Sequence, residues 1–353
     1  MKRIALGLLV TTLIVGAAIP AAAQSVVKDS AGTVTGAVVK KQSWLQEKMA
    51  GSFLETGLYV GSGSFYASGY RNPYVSGSLY IRPRFNLGTK AQLSLNLRIY
   101  HLLEFTQPDE PTDRRWVPLD MWVWLSAGNL FTEKHTGIRL SGQFRLVLPS
   151  SYESIYSNLA LGMALGLSLS KNFKLPKDVG ISLSLGAVVT KNFHTHIYRG
   201  KGPDDTSGCR GLSNPSATGT AAIGEMATVS TTDTCGGTLN TSHSVVSSGS
   251  IGLSWKKLSI GVTLIFINAW KYAFPKDQFT ADHAVARGQV DSTWGLISLG
   301  YDINDHFSLS LGMSSSQPAK TADQKGYRFP FFDFQSGSYA NNTSVFLSAS
   351  GTL

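Results

Sequence analysis

Between Asn158 and Phe173 the chain reads NLALGMALGLSLSKNF, and there Leu159, Leu161, Met163, Leu165, Leu167 and Leu169 alternate with Ala160, Gly162, Ala164, Gly166, Ser168 and Ser170. Successive residues of an extended strand point to opposite faces, so this stretch has one face of Leu and Met and one of small or polar groups. A soluble sandwich alternates too, but its strands average about five or six residues. The run here is roughly twice that length, and a tilted strand needs about 9 to 11 residues to cross a bilayer. The alternation therefore predicts a membrane-crossing strand.

The same pattern recurs at 53–66, 73–87, 90–105, 119–129, 137–148, 158–171, 179–196, 243–255, 257–270, 290–302, 306–314 and 342–353. That makes twelve strands, an even number, which returns both chain ends to one side of a closed barrel. Every second connection is short: Gly88-Thr89, Asn129 to Thr136, Asn172 to Asp178, Lys256, and Asn304-Asp305. The others are longer, at Thr106 to Pro118, Pro149 to Ser157, Ile197 to Ser242, Lys271 to Gln289 and Ser315 to Asn341, with Ser68 to Asn72 the short exception. The fold class expected is all-β, a transmembrane antiparallel up-and-down β-barrel of about 12 strands with short periplasmic turns and long extracellular loops.

Composition closes the alternatives. Only 15% of the 353 residues are charged, against about 25% in an ordinary soluble domain. Helical membrane proteins share that deficit, but past the first two dozen residues no stretch is apolar for the roughly 20 residues a spanning helix needs. Disorder is excluded by 17 Phe, 13 Tyr and 7 Trp. No Lys/Arg cluster follows one face, so no nucleic-acid partner is expected.

Lys2 and Arg3 precede an apolar run from Ile4 to Pro20, and Ala21-Ala22-Ala23 offers the small residues that a signal peptidase reads. Residues 1–23 are thus read as a signal peptide cleaved near Ala23, which lowers the formal charge from +9 to +7 as Lys2 and Arg3 leave. Export to an oxidising space makes Cys209 and Cys235 a candidate disulfide closing the 197–242 extracellular loop. Residues 24–52 lack strand alternation; Ser43 followed by Gln46 has the capping-box form of a short helix, either a plug of the lumen or a periplasmic ornament. Residues 53–353 are the barrel.

The final run, Ser344-Val345-Phe346-Leu347-Ser348-Ala349-Ser350-Gly351-Thr352-Leu353, resembles the C-terminal signal of Gram-negative outer-membrane β-barrel proteins, with Leu353 where an aromatic is usual. The resemblance is to that superfamily as a whole and covers nearly all of the mature chain. It implies a place in the cell outer membrane, in contact with the lipid bilayer and lipopolysaccharide. It also implies insertion by the outer-membrane barrel assembly machinery acting on the last strand.

If the apolar phase faces lipid, the opposite phase lines the lumen. The second strand then puts Tyr80, Arg82 and Arg84 inside, the third Arg98 and Glu104, the fourth Asp120, Trp122 and Trp124, and the fifth Arg139 and Arg145. An Arg facing lipid at mid-bilayer costs about 2 to 4 kcal/mol, which fixes these arginines inward. Folding the strands together is expected to bring Tyr80 near Arg98 and Asp120 near Arg145. Elsewhere the inner phase is Gly, Ala, Ser and Thr, and twelve strands enclose more than side chains of that size fill. A basic wall lowers the barrier for anions. The function expected is an outer-membrane channel for passive diffusion of small solutes, anion-leaning through Arg82, Arg84, Arg98, Arg139 and Arg145, with Glu104, Asp120 and Tyr80 beside them. Trp122 and Trp124 offer either a stacking platform for sugars or nucleobases beside the cations or simple wall packing. Phe329, Phe331, Phe332 and Phe334 either constrict the lumen or insert at the outer interface. The alternative is a sealed structural or surface-recognition barrel acting through its extracellular loops.

Chemistry has little foothold. His306-Phe307-Ser308 has the spacing of outer-leaflet lipid hydrolases but falls at a periplasmic turn. His194, His196 and His243 flank the longest loop without a carboxylate in register. No enzyme activity, metal or cofactor is expected.

Overall fold

The computed structural model describes residues 44–65, 73–88, 91–106, 116–197, 239–273, 288–321, 325–332 and 342–353. The expected signal peptide, residues 24–43, the Cys209–Cys235 disulfide and Phe334 lie outside the described residues.

The strands are β1 (Phe53–Gly61), β2 (Val75–Arg82), β3 (Arg84–Asn86), β4 (Leu93–Glu104), β5 (Trp116–Pro118), β6 (Met121–Thr132) and β7 (Arg139–Leu148). They continue as β8 (Leu159–Leu175), β9 (Val179–His194), β10 (Thr241–Trp255), β11 (Leu258–Lys271), β12 (Gln289–Asp302), β13 (Phe307–Pro318) and β14 (Thr343–Thr352). Pro83 has no N–H to give the ladder and separates β2 from β3 within one stave. Likewise β5 and β6 both pair with β4. The result is a closed antiparallel barrel of twelve staves.

Closure is direct. β1 pairs with β14 from Phe53↔Thr352 to Gly61↔Ser344, and β2 carries the sheet on to β4. The Gly51 N–H donates to the Leu353 carbonyl at 2.7 Å and the Leu353 N–H to the Ser52 carbonyl at 3.1 Å, so the chain end is tied to the stretch before β1. A closed barrel leaves no unpaired edge, which is the condition for strands to lie in lipid.

The short connections fall where the alternation places them, at residues 87–92, 133–138, 176–178, 256–257 and 303–306. Several lengths differ from expectation, among them the first turn, expected as Gly88-Thr89 and found between Asn86 and Leu93. β8 runs on to Leu175, leaving three residues before β9. β1 stops at Gly61 and turns into a 3-10 helix over Ser62–Phe65, so the first external connection is not short. Ser64 draws the chain out of the ladder: its hydroxyl donates to the Tyr74 carbonyl at 3.1 Å and accepts from the Tyr74 N–H at 2.9 Å.

The outer surface is a belt of exposed Leu165, Leu167, Leu169, Leu183, Leu185, Ile251, Ile260, Leu311 and Leu347. Trp116 and Trp270 lie at the extracellular strand ends, and Trp255 and Trp44 at the periplasmic ends, all on or near the outer face. Tryptophans at both boundaries are what the two membrane interfaces select. Inside, hydroxyls pair across neighbouring strands: Ser141 with Ser168 at 2.7 Å, Ser184 with Ser250 at 2.6 Å and Ser308 with Ser350 at 2.7 Å. One inward patch is apolar, where Phe346 and Leu296, 1% and 4% exposed, pack with Tyr59.

Two further segments find their places. Helix α1 (Trp44–Met49) sits at the periplasmic rim, with Trp44 edge-on to the outward Phe85 at 6.4 Å. The inward Asn86 amide donates to the Ala50 carbonyl at 2.9 Å, so this stretch straddles the rim over β3. Residues 325–332 fold against the outer face: a Cβ on the outward Gly295 would meet the Pro330 carbonyl and the Phe331 ring. Phe329, stacked on Phe332 and edge-on to Phe331, therefore lies outside the lumen.

Candidate functional site

The inner wall built by β1, β2, β4, β6 and β7 gathers the bulky polar residues. β4 sets Arg98 opposite Trp122, and β6 sets Trp124 opposite Arg145. The guanidinium carbon of Arg98 stands 3.7 Å from the Trp122 ring centroid and that of Arg145 stands 4.0 Å from it. Two planar cations that close cannot share one face of an indole, so Trp122 is sandwiched between them. Arg98 also lies 5.0 Å from the Tyr100 ring.

The register of the second stave against β4 is the same on both sides of Pro83, Ile81↔Ile99 before it and Arg84↔Asn96 after it. That places Arg82 across from Arg98. Arg82 rests on the Phe53 ring at 5.2 Å, Phe53 meets Tyr80 edge-on at 5.8 Å, and Tyr80 meets Tyr100 edge-on at 6.3 Å. Three guanidinia thus share one patch of wall, spaced by aromatic rings. Tyr80 lies opposite Tyr100, not opposite Arg98, yet Arg82, Arg98 and Arg145 are all among its charged neighbours.

The expected Asp120–Arg145 pair does not form. The ladder begins at Met121↔Leu148, which leaves Asp120 beyond its end. There its carboxylate accepts from the N–H groups of Ser150 and Ser151 at 3.2 and 3.0 Å and from the Ser154 hydroxyl at 2.5 Å, fastening the short helix α2 (Tyr152–Tyr156) to the rim. Among the described residues Arg98 and Arg145 make no ion pair, and the Nε atoms of Arg82, Arg98 and Arg145 are buried with no hydrogen-bond partner. Arg82 donates through Nη2 to the Gly51 carbonyl at 3.4 Å. Glu55 is buried on β1 opposite Tyr80.

Other expected site residues stand apart from this patch. Arg84 donates from Nε to the Asn86 side-chain oxygen at 2.9 Å in the periplasmic mouth. Arg139 begins β7 opposite Ser170, and Glu104 ends β4 opposite Ser76. The two guanidinia occupy the Trp122 ring, so a solute stacking there would have to displace one of them. Phe53 and Tyr100 were not singled out as site residues. Their signal was present, since both share the inner phase, but an aromatic in a barrel wall reads as packing until register puts it under a guanidinium.

The histidines separate. His243 stacks on Trp270 at 5.0 Å on the outer face, whereas His194 meets Tyr272 edge-on at 5.6 Å. His306 contacts the Thr352 carbonyl through Nδ1 at 3.0 Å while Ser308 pairs with Ser350, so the two do not form a nucleophile and base. Among the described residues no group of three metal-ligating side chains occurs.

No family model matches the chain, and no curated protein matches it. Among solved structures it is similar to the COG4313 outer membrane channel from Pseudomonas putida F1, with 11% identity and a TM-score of 0.43, covering 86% of this chain and 96% of that one. It is similar to the outer membrane protein opdK from Pseudomonas aeruginosa, with 8% identity and a TM-score of 0.31 over 86% of this chain and 98% of that one. The translocator domain of the autotransporter NalP from Neisseria meningitidis gives 10% identity and a TM-score of 0.33 over 86% and 87%. The chain's own geometry, a closed antiparallel barrel of twelve staves with an apolar belt outside and hydroxyls and arginines inside, is that of a transmembrane β-barrel.

Proposed function

We propose that this protein is an outer-membrane channel for passive diffusion of small solutes whose inner wall favours anions. The observation that carries this reading is the way Arg98 and Arg145 are held: aromatic rings, not carboxylates, fix their positions, so their charge remains on the wall. A sealed ion-pair network would have consumed that charge. Next along the wall from β7, β8, β9 and β10 present Ala164, Gly166, Ser168, Ser184 and Ser250, which leave space. In this reading lipopolysaccharide and other lipids touch the outward leucines, and the assembly machinery receives β14 before it pairs with β1.

Reconstitution of the full chain in planar bilayers under a potassium chloride gradient tests the reading. A reversal potential of the sign that favours chloride supports it, and cation selectivity overturns it. A second reading, a sealed surface-recognition barrel, takes its support from Leu296, Phe346 and Tyr59 packed on the inner side. Liposome swelling separates the two: uptake of small sugars or anions speaks for the channel, and none speaks for the sealed barrel.

A further inference from the structure

The stacked arginines do more than set a field. We infer that Arg98, Arg145 and Arg82 form a saturable binding site for small oxyanions, carboxylate or phosphate, on the lumen wall. This rests on the channel reading for its physiological setting, but the site itself is built from contacts that stand without it.

An arginine has five N–H donors in the plane of its guanidinium and none on its faces. Trp122 takes one face of Arg98 and one of Arg145, and Phe53 lies against Arg82. Stacking therefore fixes Arg98 and Arg145 while leaving their edges, where every donor lies, uncommitted, and Arg82 spends only Nη2, on the Gly51 carbonyl. An arginine held by a carboxylate has the opposite arrangement, with its edge used and its faces bare.

Those edges are in fact short of acceptors. The Nε groups of all three are buried with no partner, and neither Arg98 nor Arg145 makes an ion pair among the described residues. The nearest candidate counter-charge on β6's side, Asp120, is occupied by Ser150, Ser151 and Ser154. Like charges on both faces of one indole repel each other; Asp120 offsets part of this for Arg98 from beyond the ladder's end, and an anion at the guanidinium edges relieves the rest. Carboxylate and phosphate present two or more oxygens at the spacing of a guanidinium fork, so they engage the two Nη groups of one guanidinium together, the Nε atoms being buried. Chloride meets the fork with one large, weaker acceptor atom in place of a matched pair of oxygens and is the weaker ligand.

The test uses the full-length refolded protein and inorganic phosphate as the probe. Calorimetric titration at matched ionic strength, with acetate and chloride as parallel arms, is expected to give saturable binding for phosphate and acetate and no saturation for chloride. The ratio of the two oxyanion affinities says which oxyanion the site prefers. Arg98→Gln and Arg145→Gln are each expected to weaken phosphate at least tenfold. Arg145→Lys keeps the charge but not the planar fork, so it is expected to retain chloride preference in bilayers while losing phosphate saturation. Unboiled gel mobility verifies that each variant is folded, and if a Gln variant fails this, Arg145→Lys decides alone. Phosphate saturation unchanged in the folded variants, or equal and unsaturable responses to all three anions, overturns the site. Saturable phosphate binding by a protein that conducts no ions leaves the site standing and overturns the channel.

Discussion

Removing one charge from the Trp122 sandwich is the sharpest probe of selectivity. Arg145→Gln keeps a planar amide that can lie against the indole, 4.0 Å from which the guanidinium now stands, and deletes one positive charge. For an ion passing about 8 Å away, a unit charge is worth about 0.5 kcal/mol in a water-like lumen and about 2 kcal/mol at an effective dielectric constant of 20. The anion loses that attraction and the cation loses an equal repulsion, so the permeability ratio changes by twice the figure. The lower bound is then about 1 kcal/mol, or about fivefold. Reversal potentials in planar bilayers read this directly, best near 0.01 M salt, where the screening length is about 30 Å. In 1 M salt, with a screening length of about 3 Å, wild type and variant are expected to converge. A folded Arg145→Gln channel whose anion preference is unchanged at low salt refutes the view that this wall sets selectivity.

Three other outcomes follow from the geometry. Leu165→Arg, at an outward position 63% exposed to lipid, should destabilise the barrel by about 2 to 4 kcal/mol in urea unfolding from liposomes, whereas Ser168→Arg, facing inward, should cost much less. Equal costs at the two sites would mean the faces have been assigned wrongly. Gly312→Val places a side chain against the Ile297 carbonyl and, at 2.5 Å, the Phe346 ring, so overpacking of at least about 1 to 3 kcal/mol should show as loss of the fast-migrating folded band on unboiled gels. In the periplasmic turn, the Thr136 hydroxyl at 2.5 Å, with the N–H groups of His135 and Thr136, holds the Glu133 carboxyl below its ordinary pKa. A depressed carboxyl stabilises above its unfolded value of about 4.3 and ceases to as pH falls through the folded value. Protection factors of the 135–138 amides, taken relative to the intrinsic exchange rate at each pH, should therefore fall on acidification in wild type, while those of Glu133→Gln should show no such fall; a wild-type protection factor that does not change with pH would contradict this.

The strands, their phase and the side on which each connection lies were legible in the sequence. A period of two, repeated over lengths that cross a bilayer, has no other economical solution, and one residue of slip would turn Leu159 to Leu169 from lipid to lumen. The inward placement of Arg82, Arg98 and Arg145 followed from the same phase.

What alternation leaves open is register, because shifting two strands by two residues keeps every face correct while changing every partner. That is why Asp120 was expected beside Arg145 and is found four positions away in the ladder, serving α2. The ends of strands were also beyond reach, since a local bond such as Ser64 to Tyr74 competes with the ladder without altering the pattern. Sequence by itself thus determined a transmembrane barrel with arginines on one inner wall. Only the tertiary structure decided that rings rather than carboxylates hold them, because cross-strand pairing sets which side chains meet and periodicity sets only which way they face.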